Sequence, residues 1–449
     1  MRYLPHTEPE IRSMLARIGV ADIDALFAAI PDDVRLSRPL ALEPALDEAQ
    51  LMAHLEQLAE KNRAARTLSF LGGGMYDHHI PPAVDQLLLR SEFYTAYTPY
   101  QPEYSQGTLQ AIFEFQTLVC QLLGMEVANA SMYDGASSAA EAVLMARRIS
   151  RKRHVLVSAG LHPEYLATIR TYLGGLDDED LVTIIPLDPS GRTDVAALQA
   201  AVGDDTACAV VGYPNFFGIV EDLAACKAAL GASGAQLVSA TSEPYALSLV
   251  RAPGDLGVDI AVGEGQALAV PPQLGGPGVG LFACRASAVS KMPGRLVGET
   301  VDQRGLRGYV LTLSTREQHI RRERATSNIC TNHGLIALAL AIRTSMLGRH
   351  GFRAVGELCL RKAEYLKGEI RKLPGYALPY AGPTFNEFVV ERKAGSASEL
   401  LARLGQDSIL GGVALGRFDP ARDRQLLVAV TERHARADLD RFVAALRAG

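Results

Sequence analysis

Between residues 130 and 285, short apolar runs alternate with helix-length segments, and this alternation constrains the fold of the 449-residue chain more than any other feature. The runs are His154–Ser158, Leu181–Leu187, Cys208–Tyr213, Gln236–Ala240, Asp259–Val262 and Val279–Cys284. Segments with helical spacing separate several of them, near Ser137–Ile149, Pro163–Tyr172, Asp194–Val202 and Glu221–Leu230. A strand that is apolar on both faces needs cover on both, and helices alternating with strands supply it. The pattern predicts an α/β fold with a mostly parallel sheet covered on both sides.

The flanking regions read differently. Thr7 and Glu10 have capping-box spacing, ahead of Ile11, Met14, Leu15 and Ile18 on one helical face. Asp22 is placed to cap a second helix carrying Ile23, Leu26, Phe27 and Ile30, and a third is expected from Asp47 to Asn62 with Leu51, Leu55 and Leu58 in line. Residues 1–62 are therefore expected to form an N-terminal helical arm. A glycine-rich turn, Phe70-Leu71-Gly72-Gly73-Gly74, precedes a helix from Pro82, and Ser105 is placed to cap a long helix that Gly124 ends. Residues 63–313 are expected to form a large α/β domain. Residues 314–449 read as a smaller C-terminal α+β domain, with helices over Gly334–Leu347 and Gly351–Leu373, strands at Glu387–Glu391 and Gln425–Thr431, and a last helix from Ala437.

Composition removes several function classes. The net charge is −5 with no basic stripe, which argues against a nucleic-acid partner. The six cysteines are scattered without CxxC spacing, so neither a disulfide framework nor a zinc site is expected. There is no GxxxxGK[ST] loop, Gly275–Gly280 lacks GxGxxG spacing, and no serine sits in a GxSxG elbow. His78-His79 has no third ligand nearby in sequence and is read as structural, and no metal is expected. The start lacks the apolar stretch of a signal peptide and no segment is apolar enough to span a membrane, so a cytoplasmic protein is expected.

Several longer blocks carry a resemblance. They include Tyr94-Thr95-Ala96-Tyr97-Thr98-Pro99-Tyr100-Gln101-Pro102-Glu103, Ser105-Gln106-Gly107, Asn129-Ala130-Ser131-Met132-Tyr133-Asp134-Gly135-Ala136 and Val262-Gly263-Glu264-Gly265-Gln266. Glu317-Gln318-His319-Ile320-Arg321-Arg322 and Ser327-Asn328-Ile329-Cys330-Thr331-Asn332 add to them. Together they resemble the alpha chains, subunit 1, of the two-chain glycine decarboxylase or P-protein family of the glycine cleavage system, from His6-Thr7 to Val430-Thr431-Glu432. The resemblance implies a fold-type I pyridoxal-phosphate (PLP) transferase-like architecture. It also implies a homologous beta subunit that holds PLP on its own lysine, in an alpha2beta2 assembly. That enzyme, a glycine dehydrogenase (aminomethyl-transferring), decarboxylates glycine and passes the aminomethyl group to the lipoyl arm of H-protein. The isolated chain is expected to be inactive. A self-sufficient PLP lyase or aminotransferase, and a pure scaffold for the beta chain, are the alternatives.

PLP chemistry needs a lysine amine for the Schiff base and an acid opposite the pyridine nitrogen. In related active chains the lysine comes eight residues after an aspartate and directly follows a histidine. From Asp259 the eighth residue on is Ala267, and Gln266 stands in the histidine's place. No lysine lies between Lys227 and Lys291, so Lys291 is the alternative amine. Leu237-Val238-Ser239-Ala240-Thr241 offers only hydroxyls where an aspartate is expected, and Glu243 comes after it. No catalytic and no cofactor-binding residue is therefore assigned within this chain. The resemblance, with a polar and aromatic loop, makes Tyr97, Thr98, Tyr100, Gln101, Glu103, Ser105, Gln106, Gly107, Ser327, Asn328 and Asn332 the candidates for an active-site or interface contribution. Asp134 is read as a helix cap that would repel a phosphate, and Gly275–Gly280 as a close-packed turn.

Overall fold

The computed structural model describes residues 5–36, 38–93, 97–176, 179–273 and 275–448. The chain divides into two compact units, Met1–Ala65 and Arg66–Gly449. In the first, α1 (Glu8–Ile18) is opened by the Glu10 carboxylate, which accepts from Thr7 N at 2.6 Å and from its hydroxyl at 2.8 Å. Asp22 Oδ1 does accept from Ala25 N at 2.8 Å, but only a single tight turn, Asp24–Phe27, follows. The second helix expected there does not form: Pro31 disfavours helical backbone at Ile30, and the few residues left cannot sustain a helix. Asp47 Oδ1 accepts from Gln50 N at 2.8 Å and starts α2 (Glu48–Glu60), which exposes Leu51, Leu55 and Leu58.

The second unit opens with β1 (Leu68–Ser69), α3 (Pro82–Leu88) and α4 (Gln106–Leu123), closed by Gly124 at φ 66°. Then follow β2 (Val127–Ala128), α5 (Gly135–Ser150), β3 (His154–Ser158), α6 (Pro163–Gly174), β4 (Val182–Ile185), α7 (Val195–Ala201), β5 (Thr206–Gly212), α8 (Leu223–Leu230), β6 (Gln236–Thr241), β7 (Ile260–Glu264) and β8 (Gly280–Cys284). The strands make one seven-stranded sheet in the order β2-β8-β7-β6-β5-β3-β4. Pairings from β4 through β7 are parallel, and β8 runs antiparallel to β7 and β2. Every residue of β5 is buried. On β6, Leu237 joins a core with Phe115, Leu281 and Leu340, whereas Val238 joins one with Val143, Val157 and Val262. Adjacent side chains thus serve opposite faces, as a strand's two-residue period requires. The expected mostly parallel, doubly covered sheet is present.

β9 (Leu296–Val301) and β10 (Arg307–Thr312) form an antiparallel hairpin that the sequence reading did not anticipate. After α9 (Gln318–Arg321) comes α10 (Gly334–Ile370), two helices meeting at Gly348, where φ is 57° and ψ −178°. The chain closes with β11 (Tyr376–Ala377), β12 (Glu387–Arg392), α11 (Ala397–Gln406), β13 (Ile409–Leu410), β14 (Val413–Ala414), β15 (Gln425–Ala429) and α12 (Arg436–Arg447). Four of these strands pair antiparallel in the order β11-β12-β15-β14. Packing within the second unit crosses the expected boundary at residue 314. β1 pairs in parallel with β13, and Phe70 stacks on Phe442 at 4.2 Å. The first half of α10 packs Ala337 and Leu340 into the large-sheet core, and the second half packs Ala363, Leu366 and Ile370 against Phe388 and Leu426. Apolar periodicity shows that a segment is buried, not against what.

Candidate functional site

The carboxyl edge of the parallel strands is where an open α/β sheet receives ligands. β7 ends there at Glu264, and a tight turn, Gln266–Leu268, follows. Ala267 is buried in that turn, so a methyl group stands where a Schiff-base amine would be needed. Gln266 donates from its side chain to the Val270 carbonyl. Lys227 is committed to Asp259, at 2.6 Å. Lys291 lines a small pocket with Gln236, Asp259 and Arg285, where β6 and β7 begin, at the opposite end of the strands from Ala267. On β6 the Ser239 and Thr241 hydroxyls are buried without a hydrogen-bond partner. Glu243 is not free to take the acid's place, because Oε2 pairs with His78 Nε2 at 2.9 Å.

The start of α5 is filled by the chain's own carboxylates. Asp134 Oδ1 accepts from Ser137 N at 2.7 Å, as a cap. Glu264 Oε2 accepts from Gly135 N at 2.9 Å, while Oε1 accepts from Gln266 N at 2.9 Å and Val279 N at 3.0 Å. Burial raises the Glu264 carboxyl above its ordinary range, against the three N–H groups that lower it. With no amine after β7, no acid on β6 and two carboxylates at the helix start, these residues do not fit PLP.

Beside this edge lies a cavity of about 830 Å³. It is lined by Thr108, Ala111 and Ile112 of α4, by Gly334, Leu335, Ile336 and Leu338 at the start of α10, and by Phe93, Tyr97, Pro99, Tyr133, Pro277 and Cys330–His333. Of the expected residues, Tyr97 and Asn332 line it. Tyr97 is 88% exposed, and Thr98 is half-buried next to it. Asn332 Nδ2 donates to the Ala130 carbonyl at 2.7 Å, which pins the loop as well as lining the cavity.

The other candidates lie outside the cavity lining. Tyr100 accepts from Arg295 Nη2 at 2.8 Å, meets that guanidinium over its ring, and faces His319 edge-on. Arg295 Nε also reaches Glu317 Oε2 at 3.3 Å. Gln101 and Glu103 are exposed, and Gly107 sits in the first turn of α4. Ser105 occupies the capping position of α4, but its side chain makes no capping bond, which corrects the expectation. Gln106 ties α4 to β10 through Tyr309, donating to its carbonyl and accepting from its N–H, each at 2.9 Å. Ser327 donates to the buried Glu141 at 2.7 Å, and Asn328 is exposed. Tyr94, Thr95 and Ala96 of the same block, and Leu274, lie outside the described residues.

Sequence reasoning missed Tyr133 and His333 as wall residues. Tyr133 OH accepts from Cys330 N at 3.0 Å, and His333 Nδ1 lies 2.6 Å from the Gly278 carbonyl. Both stand within or next to blocks already singled out, which was the available signal. In the glycine turn, Gly275 and Gly276 both have positive φ and Gly275 stands in open space, whereas Gly278 and Gly280 are crowded by Glu264 and by Ser138. His78 lacks a third ligand in sequence but not in space. His78, Cys359 and Glu432 bring one ligand-type atom each within 4.8 Å of one another, yet both ring nitrogens of His78 are already bonded to carboxylates. Among the described residues, no helix is long and apolar enough to cross a membrane.

Residues 1–446 match the family model described as "Glycine cleavage system P-protein". The chain is 59% identical to the "Probable glycine dehydrogenase (decarboxylating) subunit 1" of Sorangium cellulosum, over 99% of both chains. It is 50% identical to the protein of the same name from Anaeromyxobacter dehalogenans, over the full length of both. A crystal structure of glycine decarboxylase (P-protein) of the glycine cleavage system, in inhibitor-bound form, superposes with a TM-score of 0.88 at 42% identity, covering all of both chains. At 17% and 15% identity, a Burkholderia pseudomallei sphingosine-1-phosphate lyase and a Lactobacillus brevis glutamate decarboxylase superpose at 0.68 over 91% and 92% of this chain, a likeness of fold alone. Length, sequence and fold-type I architecture agree: the chain belongs to the glycine cleavage system P-protein family, among its subunit 1 members.

Proposed function

We propose that this chain is the alpha subunit of a two-chain glycine dehydrogenase (decarboxylating), and that it carries no PLP of its own. The carrying observation is the buried Ala267 after β7, together with the carboxylates at the start of α5. The partner is then a beta subunit of the same fold, with PLP on its own lysine. The assembly, two alpha and two beta chains, decarboxylates glycine and passes the aminomethyl group to lipoylated H-protein in the cytoplasm. PLP, when bound in the partner, supplies the electron sink for decarboxylation.

This chain's part is to wall and orient. The open cavity bordered by Tyr97, Asn332 and the start of α10 faces outward, and its apolar lining excludes water once a partner covers it. Arg295 holds Tyr100, and Gln106 holds the start of α4, so the loop from Tyr97 to Gly107 is presented on a rigid support. The division into an arm (1–62), a large domain (63–313) and a small domain (314–449) belongs to the same proposal.

The test is co-expression with a candidate beta subunit, followed by glycine–carbon dioxide exchange with and without this chain. Borohydride reduction in the presence of PLP should mark a lysine of the beta subunit only. An adduct on any lysine of this chain would overturn the reading.

A further inference from the structure

α5 is sixteen residues long, and its start meets the carboxyl edge of the sheet. A helix leaves its first N–H groups without partners inside the helix, and such a start attracts anions. Here the donors are met from within. Glu264 reaches from the end of β7 and gathers N–H groups from three separate segments: Gly135 on α5, Gln266 after β7 and Val279 before β8. The carboxylate is closely surrounded. A Cβ on Gly278 would come within 3.2 Å of Oε2 and 3.3 Å of Oε1, and one on Gly135 within 3.1 Å of the Glu264 Cβ. Met132 and Gly280 bridge the same segments through their backbones, so the cradle has a fixed frame.

We propose that Glu264 is a built-in occupant of an anion cradle, holding α5 to the ends of β7 and β8 and excluding phosphate monoesters from it. A carboxylate and a phosphate offer these donors the same thing, negatively charged oxygen acceptors. A tethered carboxylate loses no translational freedom on binding and so outcompetes a free ligand. Asp134, capping the same helix start, adds a second negative charge against any incoming phosphate. Glu264 is thus a specificity-determining residue: it takes up the bonds a phosphate would make. The inference rests on the reading that this chain carries no PLP.

The experiment uses the full-length chain with Glu264→Ala and, as a milder change, Glu264→Ser, titrated with inorganic phosphate and followed by calorimetry and thermal unfolding. The wild-type Tm should not respond to phosphate. Both variants should unfold at lower temperature than wild type, regain stability as phosphate rises, and bind it at least about tenfold more tightly than wild type. Variants that fold but show no gain in phosphate binding overturn the proposal, and so does a folding failure that phosphate does not rescue. Failure of the underlying reading looks different: the wild-type chain would bind PLP but not free pyridoxal.

Discussion

His78 is enclosed by acids. Nδ1 lies 2.7 Å from Glu432 Oε2 and Nε2 lies 2.9 Å from Glu243 Oε2, with Tyr245 against its ring. Burial alone would lower its pKa, but the Glu243 charge and the bonds to Cys359, Glu243 and Glu432 hold it well above 6.5. For Glu432, burial raises the pKa and the His78 interactions override it, down to about 2. Replacing His78 with leucine leaves two buried carboxylates facing each other, and should cost about 3–5 kcal/mol in denaturant unfolding. Nearby Glu387, fully buried, is pushed by burial to about 8, while Gly73 N and Tyr76 OH donate to it. A raised folded pKa means stability is present below the unfolded value and lost as pH rises through the folded one. Glu387 therefore weakens the fold as pH climbs from about 4.5 to about 8, and His78 does so from about 6.5 upward. Glu432 has the opposite sign and matters only as pH falls from about 4.5 toward 2. Glu387→Gln should flatten the decline of Tm between pH 5 and pH 8; an unchanged slope would refute the assignment. His78 was read as structural from its lack of ligands nearby in sequence. Its partners, 165 and 354 positions away, were not legible there.

Two glutamines on α4 act as rails for the β9–β10 hairpin. Gln116 donates to the Val297 carbonyl and accepts from the Val297 N–H, each at 2.9 Å, as Gln106 does with Tyr309. A primary amide reproduces the donor and acceptor of a backbone, so each side chain continues the ladder of one strand. Gln116 is buried, so Gln116→Leu strands two buried backbone groups and should destabilise by about 2–4 kcal/mol. Protease susceptibility of the hairpin is expected to rise in parallel, and a variant as resistant as wild type would count against the rail. Here the limits of sequence reading are physical. The strands β3, β5, β6 and β7 were legible because both faces are buried, which leaves unbroken apolar runs. The hairpin was not, because Glu299, Arg307 and Gly308 interrupt any such run and its support comes from a helix some 180 to 200 positions earlier in the chain. Two helices, Gly334–Leu347 and Gly351–Leu373, were expected here, and they meet at Gly348, whose φ of 57° glycine adopts at little cost.

Exposed tyrosines stand beside the cavity of α4 and α10. Tyr97 and Tyr104 are each 88% exposed and Tyr100 53%, three tyrosines within eight positions. Exposed aromatic rings grouped beside an apolar cavity are a composition that partner interfaces use, since a ring adds large contact area for few frozen torsions. The members of this group differ in support: Tyr100 is held by Arg295, whereas Tyr97 borders the cavity itself. The family resemblance pointed to this block, and the structure separates its members into supports and walls, a distinction that depends on residues near 295, 309 and 332. Two readings of the assembled enzyme then diverge. If the chain shapes the site, Tyr97→Ala should leave the mass of the alpha–beta assembly unchanged and lower glycine–carbon dioxide exchange by about tenfold, the effect of losing roughly 1.4 kcal/mol of positioning. Tyr100→Phe keeps the ring over Arg295 but loses the hydroxyl bond, and should cost less. Normal exchange in a correctly assembled Tyr97→Ala enzyme would leave the chain a scaffold. Loss of exchange together with loss of assembly would place Tyr97 in the interface rather than at the site, and ultracentrifugation of the purified complex distinguishes these outcomes.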